Sequence, residues 1–105
     1  MPSEYEALRQ VFEDRSYLLT LHASERATER VIFSSEIEEA IASGELIEDY
    51  PDDKYGPSCL IMGVTSKNRV LHIQVSYPPS VKVITVYEPS SDEWEDDWKT
   101  RKSNV

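Results

Sequence analysis

Arg69-Val70-Leu71-His72-Ile73-Gln74-Val75-Ser76-Tyr77 decides the fold. In an extended chain Leu71, Ile73, Val75 and Tyr77 fall on one side. Val70, His72, Gln74 and Ser76 fall on the other, the two-residue period of a β-strand. Upstream, the nearly all-apolar run 58–64 reads as a central strand, joined by a hairpin loop at Thr65-Ser66-Lys67-Asn68. Downstream, Pro78-Pro79-Ser80 turns the chain into the β-branched run 81–87, which Pro89 ends. Residues 45–50 supply a further strand ahead of a loop, 51–57, rich in Pro, Asp and Gly. Short connections between these runs predict a four-stranded antiparallel meander.

The period changes to that of helices on the N-terminal side. Ser35 and Glu38 have the spacing of a capping box. Ile37, Ala40 and Ile41 supply an apolar face, and Gly44 is placed for a left-handed cap, which predicts a helix over 35–43. Residues 22–30 carry helical character with Ala23 and Ala27 on one face. Tyr17–Leu21 is short enough to be a strand or an extended entry. Ser3 and Glu6 again fit a capping box, and Tyr5, Leu8 and Phe12 predict a peripheral helix over 3–14. At the other end, Ser91 or Asp92 caps an expected helix with Trp94 and Trp98 on one stripe and Glu93, Glu95, Asp96 and Asp97 around it. The fold class is therefore α+β: a four-stranded antiparallel meander packed against two or three N-terminal helices, with a C-terminal helix. The helices are the only cover available to the sheet.

The chain has 105 residues, enough for one modest core without a disulfide or metal staple. Cys59 is its one cysteine and sits in an apolar run, where a thiol behaves as a small buried hydrophobe. No stretch approaches the ~20 apolar residues of a membrane span. The acidic start Met1-Pro2-Ser3-Glu4 lacks a signal-peptide core, so the expected compartment is the cytoplasm. Net charge is −9, from 20 acids against 11 bases. Phosphate backbones are bound by neutralising them, so contact with RNA would need a local basic patch.

The ordered series Leu19-Thr20-Leu21-His22-Ala23, Glu25-Arg26, Arg30, Ile37 to Ala40, Gly44-Glu45, Ile47-Glu48-Asp49-Tyr50-Pro51, Leu71-His72-Ile73 and Ile84-Thr85-Val86-Tyr87-Glu88-Pro89 resembles the bacterial DUF4258 family, a domain of unknown function. The resemblance spans about residues 17–102. It divides the single domain 1–105 into a peripheral N-terminal helix (1–15), the family domain (16–102) and a tail (103–105). In element order the family is similar to RelE-type and BrnT-type toxin folds, and some members resemble partners of a small zinc-ribbon antitoxin. The resemblance implies a ribonuclease-like toxin with an antitoxin-like protein partner, or a diverged relative without the activity. By position it also implies a role for Tyr87, beside the basic tail residue Arg101.

Among the residues themselves, His22, Arg26 and Arg30 recur every four positions and form one drifting helical stripe. An imidazole that titrates near neutrality with two guanidiniums has the groups for metal-independent RNA cleavage: an acid or base, and a phosphate clamp. The competing reading is an ion-pair network, with Glu25 and Glu29 interleaved and Glu38 or Glu39 within reach. His72 is either a hydrogen-bonded sheet histidine, a member of the same cleft, or half of a histidine pair with His22, although no metal-ligand spacing accompanies that pair. Lys54 and Tyr55 could stack on a base. No glycine-rich loop, CxxC or nucleophile elbow is present, so neither a cofactor nor a metal is expected. Two functions follow. One is an endoribonuclease built on His22, Arg26, Arg30, His72 and Tyr87. The other is a non-catalytic interaction domain, such as a homodimer, using its acidic helix or its sheet edge.

Overall fold

The computed structural model describes residues 4–54 and 56–103. Its elements run α1 (Glu4–Glu13), β1 (Leu18–Leu19), α2 (Leu21–Arg30), α3 (Ser34–Ser43), β2 (Glu45–Tyr50), β3 (Ser58–Val64), β4 (Val70–Ser76) and β5 (Lys82–Tyr87). The class is α+β. The antiparallel meander β2-β3-β4-β5 is present, with every residue of β3 paired to β4 from Ser58–Ser76 to Val64–Val70. The sheet has a fifth strand, however. β1 pairs parallel to β5, Leu18 with Lys82 and Leu19 with Val83, making the sheet mixed, in the order β1-β5-β4-β3-β2. The run 17–21, open by sequence between a strand and an extended entry, is a strand at Leu18–Leu19. Pairing with a run more than sixty positions away makes them one.

Leu71, Ile73 and Val75 of β4 face the helices as their alternation requires, and are buried against Ile37, Ala40 and Ile41 of α3. Two glycines set how closely α3 approaches. A Cβ on Gly63 would run into the backbone of Ala40, and one on Gly44 into the carbonyl oxygens of Met62 and Ala40. Gly44 is thus required for contact, and not for the left-handed cap expected there, since its φ of −95° is extended. Leu8 and Phe12 of α1 close the core from outside α3. The Ser3 cap proposed for α1 lies outside the described residues. Cys59 is fully buried, and burial pushes its thiol up to about 11.

Two expected helix features are corrected. The N-cap of α3 is Phe33, two residues earlier than Ser35, and only half of a capping box forms there: Glu36 accepts the Phe33 N–H at 3.1 Å. Glu38 instead accepts the Tyr17 hydroxyl. The C-terminal helix does not form. Asp97 accepts the N–H groups of Lys99 and Thr100 and the Thr100 hydroxyl, an Asx-type turn that outcompetes helix. Trp98 enters the left-handed region at φ 60°, and Trp94 bridges Arg101. Residues 91–103 therefore form a strap across the second face of the sheet, the one the N-terminal helices do not cover. No helix among the described residues is long and apolar enough to cross a membrane.

Candidate functional site

α2 is a ten-residue helix with two unlike flanks. Thr20 caps it by accepting the Ala23 N–H at 3.0 Å, and Ala23 and Ala27 bury its inner face. His22, Arg26 and Arg30 occupy one flank, but they do not converge. His22 is exposed on the first turn, in no hydrogen bond or ion pair among the described residues. Arg26 is bound to Glu29 at 3.0 Å and lies 3.9 Å from Glu25, the pairing that the interleaved acids suggested. Its Nε is buried without a partner. Arg30 reaches the sheet, where Nη1 donates to the Val86 carbonyl at 2.9 Å and caps the part of β5 that β1 leaves open. Eight residues of helix separate His22 from Arg30, about 12 Å along the axis.

Arg30 does meet Tyr87. The two line a cavity of about 370 Å³ under the strap, with Glu88, Glu93, Trp94 and Arg101. His72 lies behind Tyr87 and is fully buried. Its Nε2 donates to the Trp98 carbonyl at 2.6 Å, and its Nδ1 lies 3.3 Å from the Tyr87 hydroxyl. The Trp94 ring stands edge-on to it at 4.3 Å. Burial lowers the His72 pKa below its ordinary 6.5 and raises that of Tyr87. Arg101 lies 4.6 Å from the Trp94 ring and is held by both oxygens of Glu48, at 2.7 and 3.0 Å. Three of the five expected residues, Arg30, His72 and Tyr87, are thus neighbours. The histidine is sealed from solvent, one of the two cations is neutralised, and two carboxylates share the wall. That arrangement takes the imidazole away from the cavity surface and leaves Arg30 sharing the wall with Glu88 and Glu93.

The other flank of α2 carries no charge on its wall. A cavity of about 370 Å³ between α2, α3 and β1 is lined by Leu19, Ala27, Thr28, Val31, Ile32 and Phe33, among others, none of them charged. Two of its lining side chains are exposed, Val31 at 61% and Phe33 at 62% of full exposure, and Leu21, at 77% and one turn before Ser24, extends the same flank. The backbone between the helices is built against local preference. Val31 ends α2 at φ 54°, ψ 56°, with Ile32 N–H bonded to Ala27 O and Val31 N–H to Thr28 O. This is the hydrogen-bond pattern of a Schellman cap, in which glycine normally holds the left-handed position. A β-branched residue there is strained by about 1–2 kcal/mol. Two residues on, Phe33 occupies an N-cap where Ser, Thr, Asp or Asn would bond the helix end, and its side chain makes no such bond.

Arg69 holds this junction in place. Its guanidinium donates to the Arg30 and Val31 carbonyls at 2.8 Å, filling the C-terminus of α2. It also pairs with Glu36 at 3.0 Å and with Glu88 at 3.0 Å. The Phe33 N–H, and then Arg69, hold the buried Glu36 carboxyl below its ordinary value. Neither Arg69 nor the notch was singled out from the sequence. The available signal was Val31-Ile32-Phe33, an apolar triplet standing where a helix stop and a cap residue belong.

Among the described residues no group of three or more His, Cys, Asp or Glu side chains is placed to hold a metal ion. Tyr55, proposed for stacking, lies outside the described residues. A family model described as Domain of unknown function (DUF4258) matches residues 19–88, which run from β1 to just past β5. No curated protein and no solved structure matches the chain.

Proposed function

The chain belongs to the DUF4258 family, and we propose that within it this protein is a protein-docking domain whose recognition surface is the uncharged notch between α2, α3 and β1. The observation that carries the reading is the Val31–Phe33 junction. Two consecutive helix-end preferences are broken there, and both offending side chains are apolar and exposed. Rules of local structure are broken in folded proteins mostly where function requires it. Monomers that expose contiguous apolar surface generally use it for binding. The test is site-specific photo-crosslinking in a bacterial host with a benzophenone amino acid at position 33, and at position 95 as control. A discrete adduct at 33 that disappears when Leu21→Asp is added is expected. No adduct at 33, or equal adducts at both positions, overturns the reading.

A second reading, a ribonuclease-like toxin with an antitoxin-like partner, is favoured by one observation: Arg30 and Tyr87 share a cavity with His72 directly behind. Induced expression of wild type, Arg30→Ala and Tyr87→Phe with growth and RNA integrity as readouts separates the two. Intact RNA and normal growth are expected throughout. RNA cleavage by wild type that Arg30→Ala abolishes would replace docking with catalysis.

A further inference from the structure

We infer that the occupant of the notch is a second copy of this chain, paired across a two-fold axis at the β1 edge, an inference that rests on the docking reading. Charge is the first argument. With a net charge of −9, two copies repel wherever their acidic faces meet. A basic partner, the natural complement of such a chain, would be drawn to the acid-rich strap, where Asp92, Glu93, Glu95, Asp96 and Asp97 are all exposed. The notch offers such a partner nothing. In a chain with 30% charged residues it is walled by none, so it is a face on which like-charged copies can meet without burying an acid against an acid.

Shape is the second argument. An isologous interface must be complementary to itself, presenting projections and a recess on one patch. Leu21, Val31 and Phe33 project, and the recess lies among them. Its volume of about 370 Å³ is at the small end for a ligand pocket, suited to side chains.

The backbone supplies the third argument. The N–H groups of Leu18 and Thr20 donate to the carbonyls of Val81, just ahead of β5, and of Val83 within it. The alternation of a strand therefore turns the Leu19 N–H and C=O to the open edge. A two-fold through Leu19 would place β1 antiparallel to its copy, with the two Leu19 residues exchanging both bonds. The two sheets would then join, and the β1 edge of each monomer would be covered.

Sedimentation equilibrium of the purified full chain tests this over about 1 μM to 1 mM, a range that brackets weak to moderate association. A mass rising toward twice 12.1 kDa is expected for wild type. Phe33→Asp should stay monomeric while melting no lower than wild type, because aspartate is a better N-cap. Leu19→Cys should form an intermolecular disulfide under mild oxidant, since facing residues in such a pair lie about 5.5 Å apart at Cα. Glu95→Cys should not, and the buried Cys59 stays out of the reaction. A wild-type chain monomeric throughout, a Phe33→Asp dimer of unchanged affinity, or a dimer that Leu19→Cys fails to cross-link would overturn the inference. A monomeric chain that still gives a discrete position-33 adduct with a different protein would overturn the second copy alone and leave the docking reading standing. Monomer and no adduct together would remove both.

Discussion

The two flanks of α2 share one ten-residue helix and the Val31 that ends it, yet they finish in opposite conditions. The flank with His22, Arg26 and Arg30 carries the groups that chemistry uses, and most of that capacity is taken up internally, by Glu29 and by the Val86 carbonyl. The flank with Leu21, Ser24, Thr28 and Val31 carries nothing reactive, yet it is the one the fold leaves open beside an exposed Phe33. An arginine in an acidic chain meets carboxylates at every turn, and its attraction to them is satisfied inside the molecule before any ligand arrives. An apolar side chain at a sheet edge has no such internal outlet. On this protein, availability separates the two flanks more sharply than residue type does.

The largest expected effect comes from breaking the device that holds the flanks apart. Arg69→Ala strips the caps from the α2 carbonyls and leaves Glu36 buried and unpaired. A loss of about 3 kcal/mol in urea unfolding is expected from removing one member of a buried pair. Lowering pH makes the same break from the carboxylate side. The folded-state pKa of Glu36 is depressed, so its contribution is fully present above the ordinary 4.5 and is lost as pH falls through the folded value. Glu48, held down by its hydrogen bond from Arg101, acts in the same direction under the strap. His72 adds an earlier window. It is kept neutral by burial while the unfolded chain takes up a proton, so stability begins to fall below pH 6.5. Melting temperatures of wild type and His72→Gln between pH 8 and pH 5 check this. The mild slope below 6.5 should be present in the first and absent in the second.

The comparison is sharpened by two substitutions that repair the open flank. Val31→Gly relieves the left-handed strain, and Phe33→Asp supplies the missing cap. Each should raise stability by about 1 kcal/mol in urea unfolding. Each should also weaken docking at the notch, through loss of the apolar side chain. A gain in stability coupled to a loss of association is the signature of a surface kept apolar at the expense of its own helix ends. If Val31→Gly destabilises instead, the junction is a folding feature and the asymmetry between the flanks loses its functional meaning.

What the sequence made legible was local. The alternation of 69–77 predicts β4 and its two faces, and the i,i+3 spacing of Arg26 and Glu29 predicts their ion pair. What it hid depended on residues far apart or on rules being broken. Leu18 and Leu19 become a strand only through Val81 and Val83. The open carbonyl that takes Arg30 lies 56 positions away. The strap reads as a helix in sequence because Trp94 and Trp98 have helical spacing, while the Asp97 side chain, which competes for the backbone, counts only as one more acid in a periodic pattern. The alternation placed His72 on the more polar face but gave no sign that Trp94 and Trp98 would cover it. A left-handed valine and an uncapped phenylalanine run against the preferences on which sequence reading rests, so the junction that distinguishes this surface was the least readable part of the chain.

The smallest expected effect is also the most diagnostic for the charged flank. His22 sits on the first turn of α2, exposed, engaged by no hydrogen bond or ion pair among the described residues. The helix start does not depend on it, because Thr20 provides the cap and Ala23 the packing. His22→Ala also exchanges a weaker helix former for the best one. Its effect on unfolding should therefore stay within about 0.5 kcal/mol, the ordinary range for a surface position away from any special feature. Arg30→Ala, on the same stripe, should cost about 1 kcal/mol through the lost bond to Val86. Unequal losses along one stripe mean that its members serve separate structural ends. A His22→Ala loss as large as that of Arg30→Ala, with the two non-additive in a double-mutant cycle, would instead mean that the stripe acts as one unit. The distinction between a spent flank and an open one would then fail.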